Sequence, residues 1–159
     1  MGISFAFQQP VKFKGITVFD LLKLSAGKEI SKKEACDILS KVGLCAKEYV
    51  DREVNVSLSG GELKRIEIAS VAVRGAKLTI FDEPEAGIDL WSFAKLVETF
   101  QKLKSEEKQS IVLISHQERI MKLADEIVII ENGSVKQKGK RDEILPSLMD
   151  EFDSCVYKK

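Results

Sequence analysis

Hydrophobic positions in the first half of the chain follow helical spacing after a short apolar segment at 3–7. Apolar residues over 17–24 lie on one face of a predicted helix. A second helix is predicted after Ser31, because Glu34 stands three residues later, at the spacing of a capping box. This helix is expected to end at Gly43. Its predicted buried residues are Ala35, Ile38, Leu39 and Val42.

Strand and helix patterns alternate through the second half of the chain. The predicted elements are a helix over 63–73, a strand over 77–81, a helix over 90–104, a buried strand over 111–114, a helix over 118–124 and a strand over 126–130. The helix over 90–104 is expected to bury Leu90, Phe93, Leu96, Val97, Phe100 and Leu103. Asn132-Gly133 predicts a tight hairpin into 134–137. This alternation predicts an α/β fold built on a layered sheet.

The composition is that of a soluble globular domain, with 44% hydrophobic and 31% charged residues in a chain of 159. Lysine plus arginine, at 25, balance aspartate plus glutamate, at 25, so charge gives no reason to expect a nucleic-acid partner. No apolar run approaches the roughly 20 residues that span a bilayer, and no signal peptide is recognisable. Cys36, Cys45 and Cys155 form no C-x-x-C pair, which predicts free thiols and a cytoplasmic protein.

A glycine-rich segment, Leu58-Ser59-Gly60-Gly61-Glu62, opens the helix that begins near Leu63. Its glycines would let the backbone approach a ligand closely, and the free amides of a helix N-terminus attract phosphate. A plain cap and turn is the more common explanation of such a segment. The segment alone therefore leaves both a phosphate seat and a structural cap open.

Two adjacent carboxylates, Asp82 and Glu83, follow the apolar strand that ends at Phe81. The carboxyl ends of strands are where open α/β sheets bind ligands. One carboxylate could hold Mg²⁺ while the other polarises an attacking water. The structural alternative is a strand-end turn formed by Asp-Glu-Pro.

Two further features stand at the ends of the strands. Ala86-Gly87-Ile88-Asp89 forms a tight turn before the next helix, and Asp89 is also expected to cap that helix. His116, the only histidine, follows the strand over 111–114, on the predicted sheet edge of the two carboxylates. A neutral imidazole there could contact a γ-phosphate or the attacking water, although a single histidine is more often structural.

In the order and spacing of these motifs the chain resembles an ABC-type ATPase over essentially its whole length. The matching segments are Phe7-Gln8-Gln9-Pro10 for the Q-loop, Leu58–Glu62 for the signature, Leu78–Glu83 for Walker B, Ala86–Asp89 for the D-loop and His116 for the switch histidine. Glu62 in place of the commoner glutamine, with Phe-Gln-x-Pro around Gln8, is most similar to the SUF-type ATPase of iron–sulfur cluster assembly. Asp-Glu-Pro-Glu-Ala-Gly-Ile-Asp departs from the SUF pattern, so other bacterial ABC proteins remain alternatives.

The resemblance implies a partial P-loop NTPase fold of the RecA type with a helical subdomain and without its N-terminal strands. It implies a Q-loop segment at 1–10, a mainly helical subdomain at 11–57, and a signature helix with the C-terminal RecA-like half at 58–159. The implied ligands are ATP and Mg²⁺. The implied partners are a homo- or heterodimeric ABC subunit and a scaffold or membrane subunit that docks on the helical subdomain.

The resemblance also assigns roles to single residues. Glu83 would be the general base, Asp82 would hold Mg²⁺, and Gln8 would sense the metal. Ser59 and Gly61 would contact the γ-phosphate of ATP held by the partner. The implied catalytic residues are Glu83 and His116; the implied nucleotide-binding residues are Gln8, Ser59, Gly60, Gly61 and Asp89; and the implied Mg²⁺ residues are Asp82 and Gln8.

A phosphate-binding Walker A loop, G-x-x-x-x-G-K-[ST], does not occur in these 159 residues. The Gly-Lys pairs at Gly27 and Gly139 are followed by Glu29 and Arg141 where the motif needs Ser or Thr. The isolated chain is therefore expected not to hydrolyse ATP, and its shortened sheet is expected to expose apolar surface.

Three functions are consistent with these motifs. The first is a fragment of an ATP-hydrolysing ABC subunit that serves transport or iron–sulfur assembly. The second is a non-hydrolytic subunit that donates its signature to a partner's ATP site. The third, the C-terminal lobe of a DNA-repair ATPase, is disfavoured because Gln8 is present and no sustained heptads occur.

Overall fold

The computed structural model describes residues 2–55, 57–106 and 110–156. It divides the chain into two compact units, Met1–Ser115 and His116–Lys159. This boundary differs from the predicted divisions after residues 10 and 57, which stay predictions. No helix in the described ranges is both long and apolar enough to cross a membrane.

The first unit contains five helices and three strands among its described residues. They are β1 (Ile3–Ala6), α1 (Val18–Ala26), α2 (Lys32–Lys41), α3 (Ala46–Tyr49), α4 (Gly60–Ala72), β2 (Leu78–Asp82), α5 (Leu90–Glu106) and β3 (Ser110–Ile114). The second unit contains α6 (Glu118–Met121), β4 (Glu126–Glu131), β5 (Ser134–Lys140) and α7 (Arg141–Val156). The predicted α/β fold is confirmed.

Capping boxes define where the helices of the first unit begin. In α2 the Ser31 hydroxyl accepts from the Glu34 N–H, and the Glu34 carboxylate accepts from the Ser31 N–H, as predicted. The same reciprocal pair opens α1, between Thr17 and Asp20. Each box satisfies two N–H groups that the first helical turn leaves without partners. The short loops between these helices are therefore fixed by local hydrogen bonds.

A parallel three-stranded sheet in the order β1-β2-β3 is the centre of the first unit. Its buried face carries Thr79 at 0% and Phe81 at 1% exposure, with Ser4 and Ala6 of β1 beside them. The Phe81 ring packs edge-on against Phe100 of α5, with ring centroids 5.0 Å apart. Helix α4 packs on α5 and on β1. One face of the sheet therefore holds the core of this unit.

The opposite face of the same sheet is apolar and exposed. Ile3 is 68%, Phe5 38%, Val112 43% and Ile114 48% exposed. The strand predicted over 111–114 exists, but its predicted burial is wrong, because within the described residues β3 pairs only with β2 and lies at the sheet edge. The expected exposed apolar surface is confirmed.

One residue of the predicted buried face of α5 is also exposed. Leu90 is 70% exposed because it is the first residue of the helix, whereas Leu96, Phe100 and Leu103 are buried as predicted. The periodicity therefore identified the helix correctly and the burial of its first residue wrongly.

Cys36 and Cys45 are free thiols, as predicted, and the side chain of Cys155 lies outside the described residues.

A hairpin of β4 and β5 forms the second unit together with α6 and α7. Asn132 has φ 51° and Gly133 φ 74°, the positive values that a type I′ turn needs at both central residues. The predicted hairpin is confirmed. Ile127, at 9% exposure, and Ile144, at 3%, are buried within this unit.

A matched pair of substitutions tests which face of the sheet stabilises the fold. Phe81→Ala should lower the free energy of unfolding by about 3–5 kcal/mol, because it leaves a cavity against Phe100. Phe5→Ala, on the exposed face, should cost about 1 kcal/mol or less. Urea unfolding measures both values. Equal losses would mean that the face carrying Phe5 is buried in solution.

Candidate functional site

The ends of β1 and β2 bring two of the predicted site residues together. The strands are parallel, and Ala6 lies opposite Phe81, so the residues that follow each strand meet at one sheet edge. The Gln8 side-chain amide donates a hydrogen bond to the Glu83 carboxylate across that edge. The predicted Q-loop glutamine and the predicted general base are therefore in direct contact.

Glu83 has a backbone conformation that is unusual for a residue with a side chain. Its φ is 40°, in the left-handed region, and its N–H donates to the Ile114 carbonyl at 2.9 Å. A non-glycine residue held there costs on the order of 1 kcal/mol, and such residues concentrate at functional sites. The extended pairing of β2 with β3 thus ends in a bend that directs Glu83 away from the strand.

Asp82 is the last residue of β2 and pairs in register with Ile114. It is half-buried. Carboxylate and amide oxygens are hard ligands that suit Mg²⁺, which is commonly held by one or two carboxylates together with substrate phosphates. Among the described residues no group of three or more His, Cys, Asp or Glu could hold a metal by itself. The Asp82 carboxylate and the Gln8 amide oxygen are thus of the chemical type that would suit Mg²⁺.

Ser59 is the N-cap of α4 in this structure. Its hydroxyl accepts from the Glu62 N–H at 3.3 Å, and its own N–H donates to the Glu62 carboxylate at 2.7 Å. The structural interpretation of the signature segment is therefore confirmed. Ser59 and Gly60 are nevertheless exposed, so the positive end of α4 is accessible to solvent, and the predicted contact with phosphate stays a prediction.

The two signature glycines allow a close approach within the chain itself. A Cβ on Gly60 would lie 3.0 Å from the Gly87 carbonyl oxygen, and a Cβ on Gly61 only 2.5 Å from Ser92 Oγ. The start of α4 thus lies directly against the turn over 86–89 and the first turn of α5. The predicted signature and D-loop segments are neighbours in one unit.

Asp89 caps α5, as expected. Its Oδ1 accepts from the N–H groups of Trp91 at 2.9 Å and Ser92 at 3.0 Å, and its Oδ2 accepts from the Ser92 hydroxyl at 2.7 Å. The hydrogen bonds from the Ser92 backbone and hydroxyl lower the pKa of Asp89 below its ordinary value. The predicted role of Asp89 in nucleotide binding stays a prediction.

Glu62, at the position where glutamine is commoner, receives hydrogen bonds on both carboxylate oxygens. Besides the Ser59 N–H, it accepts from the Tyr49 hydroxyl, and the Arg52 guanidinium lies 5.2 Å from the Tyr49 ring centre. Burial raises the pKa of Glu62, but the hydrogen bonds from Tyr49 and Ser59 outweigh it and leave that pKa lowered. The carboxylate therefore links α3 to the start of α4.

A buried ion pair in α4 was missed by the sequence analysis. Lys64 is 2% exposed; its Nζ lies 2.5 Å from the Phe7 carbonyl oxygen and 3.1 Å from Glu67 Oε2. Burial raises the pKa of Glu67, and Lys64 opposes that shift. The available signal was the spacing of Lys64 with Ile68 and Val71, which places it on an apolar helix face.

Glu85 forms a second buried contact that the sequence analysis missed. It is 8% exposed, and its carboxylate accepts from the Ser115 hydroxyl. His116, the next residue, begins the second unit and is exposed, with its Nε2 3.4 Å from Gln117 Nε2. The predicted placement of His116 beside Glu83 stays a prediction.

Comparison with known proteins identifies the family. The family described as ABC transporter matches residues 1–86. An uncharacterized ABC transporter ATP-binding protein of Methanocaldococcus jannaschii is 37% identical over 165 residues, covering 100% of this chain and 65% of that protein. An energy-coupling factor transporter ATP-binding protein of Spiroplasma kunkelii is 29% identical, covering 91% of this chain and 48% of that protein. The chain belongs to the ABC transporter ATPase family.

Solved structures support the same fold. A dimeric ATP-binding cassette in a post-hydrolysis state with ADP and Pi aligns with a TM-score of 0.74 at 22% identity, covering 88% of this chain and 63% of that chain. Part of an ABC transporter complex of Clostridium perfringens aligns with a TM-score of 0.75 at 21% identity, covering 99% and 64%. The chain thus spans about two thirds or less of the relatives it matches.

Gly61→Ala tests the contact between α4 and α5. The new Cβ would overlap Ser92, so unfolding should become easier by about 1–3 kcal/mol although alanine favours helix. Adding Ser92→Gly removes the atoms it meets and should restore part of the loss in urea unfolding. If the two effects simply add, the contact between the two helices is absent.

Acid unfolding tests the Glu62 carboxylate. Because its pKa is lower in the folded chain than its ordinary value of 4.5, it stabilises the fold above that pH, and the contribution is lost as the pH falls through the folded-state value. Glu62→Gln should therefore reduce the difference in unfolding free energy between pH 7 and pH 3.5. Urea unfolding at the two pH values measures this difference, and the same difference in the native chain and the variant would contradict the prediction.

Proposed function

We propose that this chain supplies the hydrolytic carboxylates and the signature segment of an ABC-type ATP-hydrolysing unit. The observation that carries the proposal is the contact between Gln8 and Glu83 at the ends of two adjacent parallel strands. A carboxylate at such an edge can accept a proton from an attacking water, and a glutamine bonded to it fixes its orientation. Family membership supports ATP as the substrate.

The residues at this edge of the sheet would have different roles in phosphoryl transfer. Glu83 would orient and deprotonate the water, and Asp82 with Gln8 would hold Mg²⁺ brought by the nucleotide. The metal would neutralise charge on the phosphates. Asp89 and His116 keep the nucleotide roles that the resemblance implies.

The signature segment would act on ATP held by a partner. Ser59 and Gly60 are exposed at the N-terminus of α4, where the helix dipole favours anionic groups. A solved relative by fold is a dimeric cassette with ADP and Pi. The partner would be a second ABC-type subunit that carries a G-x-x-x-x-G-K-[ST] loop.

Transport is the process that the relatives support. Their printed names include an energy-coupling factor transporter protein and a choline transport protein, the latter of Bacillus subtilis and 34% identical. We therefore propose that the unit works with a membrane partner docked on the helices of the first unit. The names of these relatives do not support the predicted iron–sulfur role.

A mixing experiment tests the proposal. The chain alone should release no phosphate from ATP above background, because no phosphate-binding loop occurs in its sequence. Addition to a complete ABC ATP-binding subunit should raise turnover, and Ser59→Arg should remove the gain by blocking the exposed end of α4. Ser57→Arg, which adds the same charge at an exposed serine two residues earlier, is the control.

Glu83→Gln decides between two versions of the proposal. If Glu83 deprotonates water at a site completed by the partner, the gain should fall by on the order of 100-fold or more. If the chain only donates its signature, the gain should persist. Trp91, the single tryptophan, is 83% exposed beside the signature, so its fluorescence reports docking independently. Docking without any gain in turnover would overturn the proposal.

A further inference from the structure

We propose that Lys64 is a positioning residue that couples the signature helix to the Gln8–Glu83 pair through the carbonyl of Phe7. The inference deepens the proposed function and rests on it only for its consequence in ATP turnover. Its structural part, a lysine in α4 that sets the orientation of Gln8, stands on contacts within the first unit.

Lys64 reaches out of its own helix to the segment that carries Gln8. Its Nζ donates to the Phe7 carbonyl oxygen at 2.5 Å, across 57 residues of sequence. Phe7 follows the last residue of β1, and its carbonyl belongs to the same peptide group as the Gln8 N–H. A hydrogen bond to that carbonyl therefore fixes the orientation of the peptide from which the Gln8 side chain projects.

The ammonium group is held by a second bond as well as by burial. Glu67, one helical turn later, accepts from Lys64 at 3.1 Å, and the two side chains are only 2% and 13% exposed. Lysine is almost never fully buried unless it is paired, and removing the acceptors of a buried ammonium is strongly destabilising. The Phe7 carbonyl is thus bound by an ammonium group that is buried away from water.

The contacts form one continuous series from α4 to the predicted general base. Glu67 accepts from Lys64 and from the Phe7 N–H, Lys64 donates to the Phe7 carbonyl, and the next residue, Gln8, donates to Glu83. Lys64 stands five residues after Ser59 in the same helix. A displacement of α4 when Ser59 meets an anionic ligand would therefore move the peptide that orients Gln8.

A purely local role for Lys64 predicts something different. If it only completed an i,i+3 ion pair with Glu67, its removal would change stability and leave Gln8 unaffected. The chain offers a matched pair for comparison, because Lys95 and Glu98 of α5 have the same spacing, a distance of 3.0 Å and 54% exposure each. The two lysines differ mainly in burial and in the bond to Phe7.

Nuclear magnetic resonance of the ¹⁵N-labelled chain tests the coupling directly. Lys64→Met should shift the backbone ¹⁵N signal of Gln8, which senses its peptide carbonyl, and the side-chain amide signals that sense Glu83. Lys95→Met should leave both unchanged. Unmoved Gln8 signals in a folded Lys64→Met variant would overturn the proposal.

A second variant keeps the test decisive if Lys64→Met does not fold. The double variant Lys64→Met with Glu67→Leu removes both charges and leaves an apolar pair. Replacing a buried ion pair by apolar residues is often neutral or stabilising, so this variant should fold. Because Glu67 also accepts a hydrogen bond from the Phe7 N–H, Glu67→Leu alone is its control, and the double variant should displace the Gln8 signals beyond those of that control. A folded double variant with native Gln8 signals would exclude coupling through the carbonyl.

Turnover in the mixture separates this inference from the proposed function. If the chain activates a partner through Glu83, the same double variant should reduce the gain by roughly 10- to 100-fold, as expected when a catalytic group moves by about 1 Å. Trp91 fluorescence should still report docking. If the Gln8 signals of the double variant are displaced but even the native chain gives no gain in turnover, only the proposed function is wrong. If the double variant keeps native Gln8 signals while the native chain gives a gain, only the inference is wrong.

Discussion

The parallel pairing of β1 with β2 is the constraint on which the rest of the first unit depends. With Ala6 opposite Phe81, the chain leaves both strands at the same edge of the sheet. A shift of one residue would turn Phe81 out of the core and move Glu83 to the other side of β2. The register that buries Phe81 against Phe100 is therefore the same register that places Gln8 against Glu83.

Helix α4 connects this sheet edge to the signature segment, and it packs against the rest of the unit on nearly all of its sides. Its first turn lies against Gly87 and Ser92, its middle carries Lys64 toward Phe7, and Ile66 and Ile68 are fully buried. A helix buried on so many sides moves as one body, since a packed interior resists local adjustment. Its N-terminus and the lysine are therefore mechanically linked without a hinge between them.

The sequence predicted the features that local chemistry determines. Ser31 with Glu34, and Asn132 with Gly133, form the expected structures because their hydrogen bonds and dihedral angles are set within a few residues. The exposure of Val112 was not predictable, since an apolar run does not reveal which neighbours cover it. Lys64 was missed because charges in a helix are usually solvated, and its acceptor at Phe7 is distant in sequence.

The glycines of the signature segment carry less functional weight than their motif suggests. Side chains at Gly60 and Gly61 would meet Gly87 and Ser92, so close packing within the chain already favours glycine at both positions, most strongly at Gly61, whatever the ligand. Ser59 likewise has a structural role as a cap. The bond between Gln8 and Glu83 and the left-handed backbone of Glu83 are instead features that concentrate at functional sites. The case for chemistry at this sheet edge therefore rests on Glu83 and the residues that orient it.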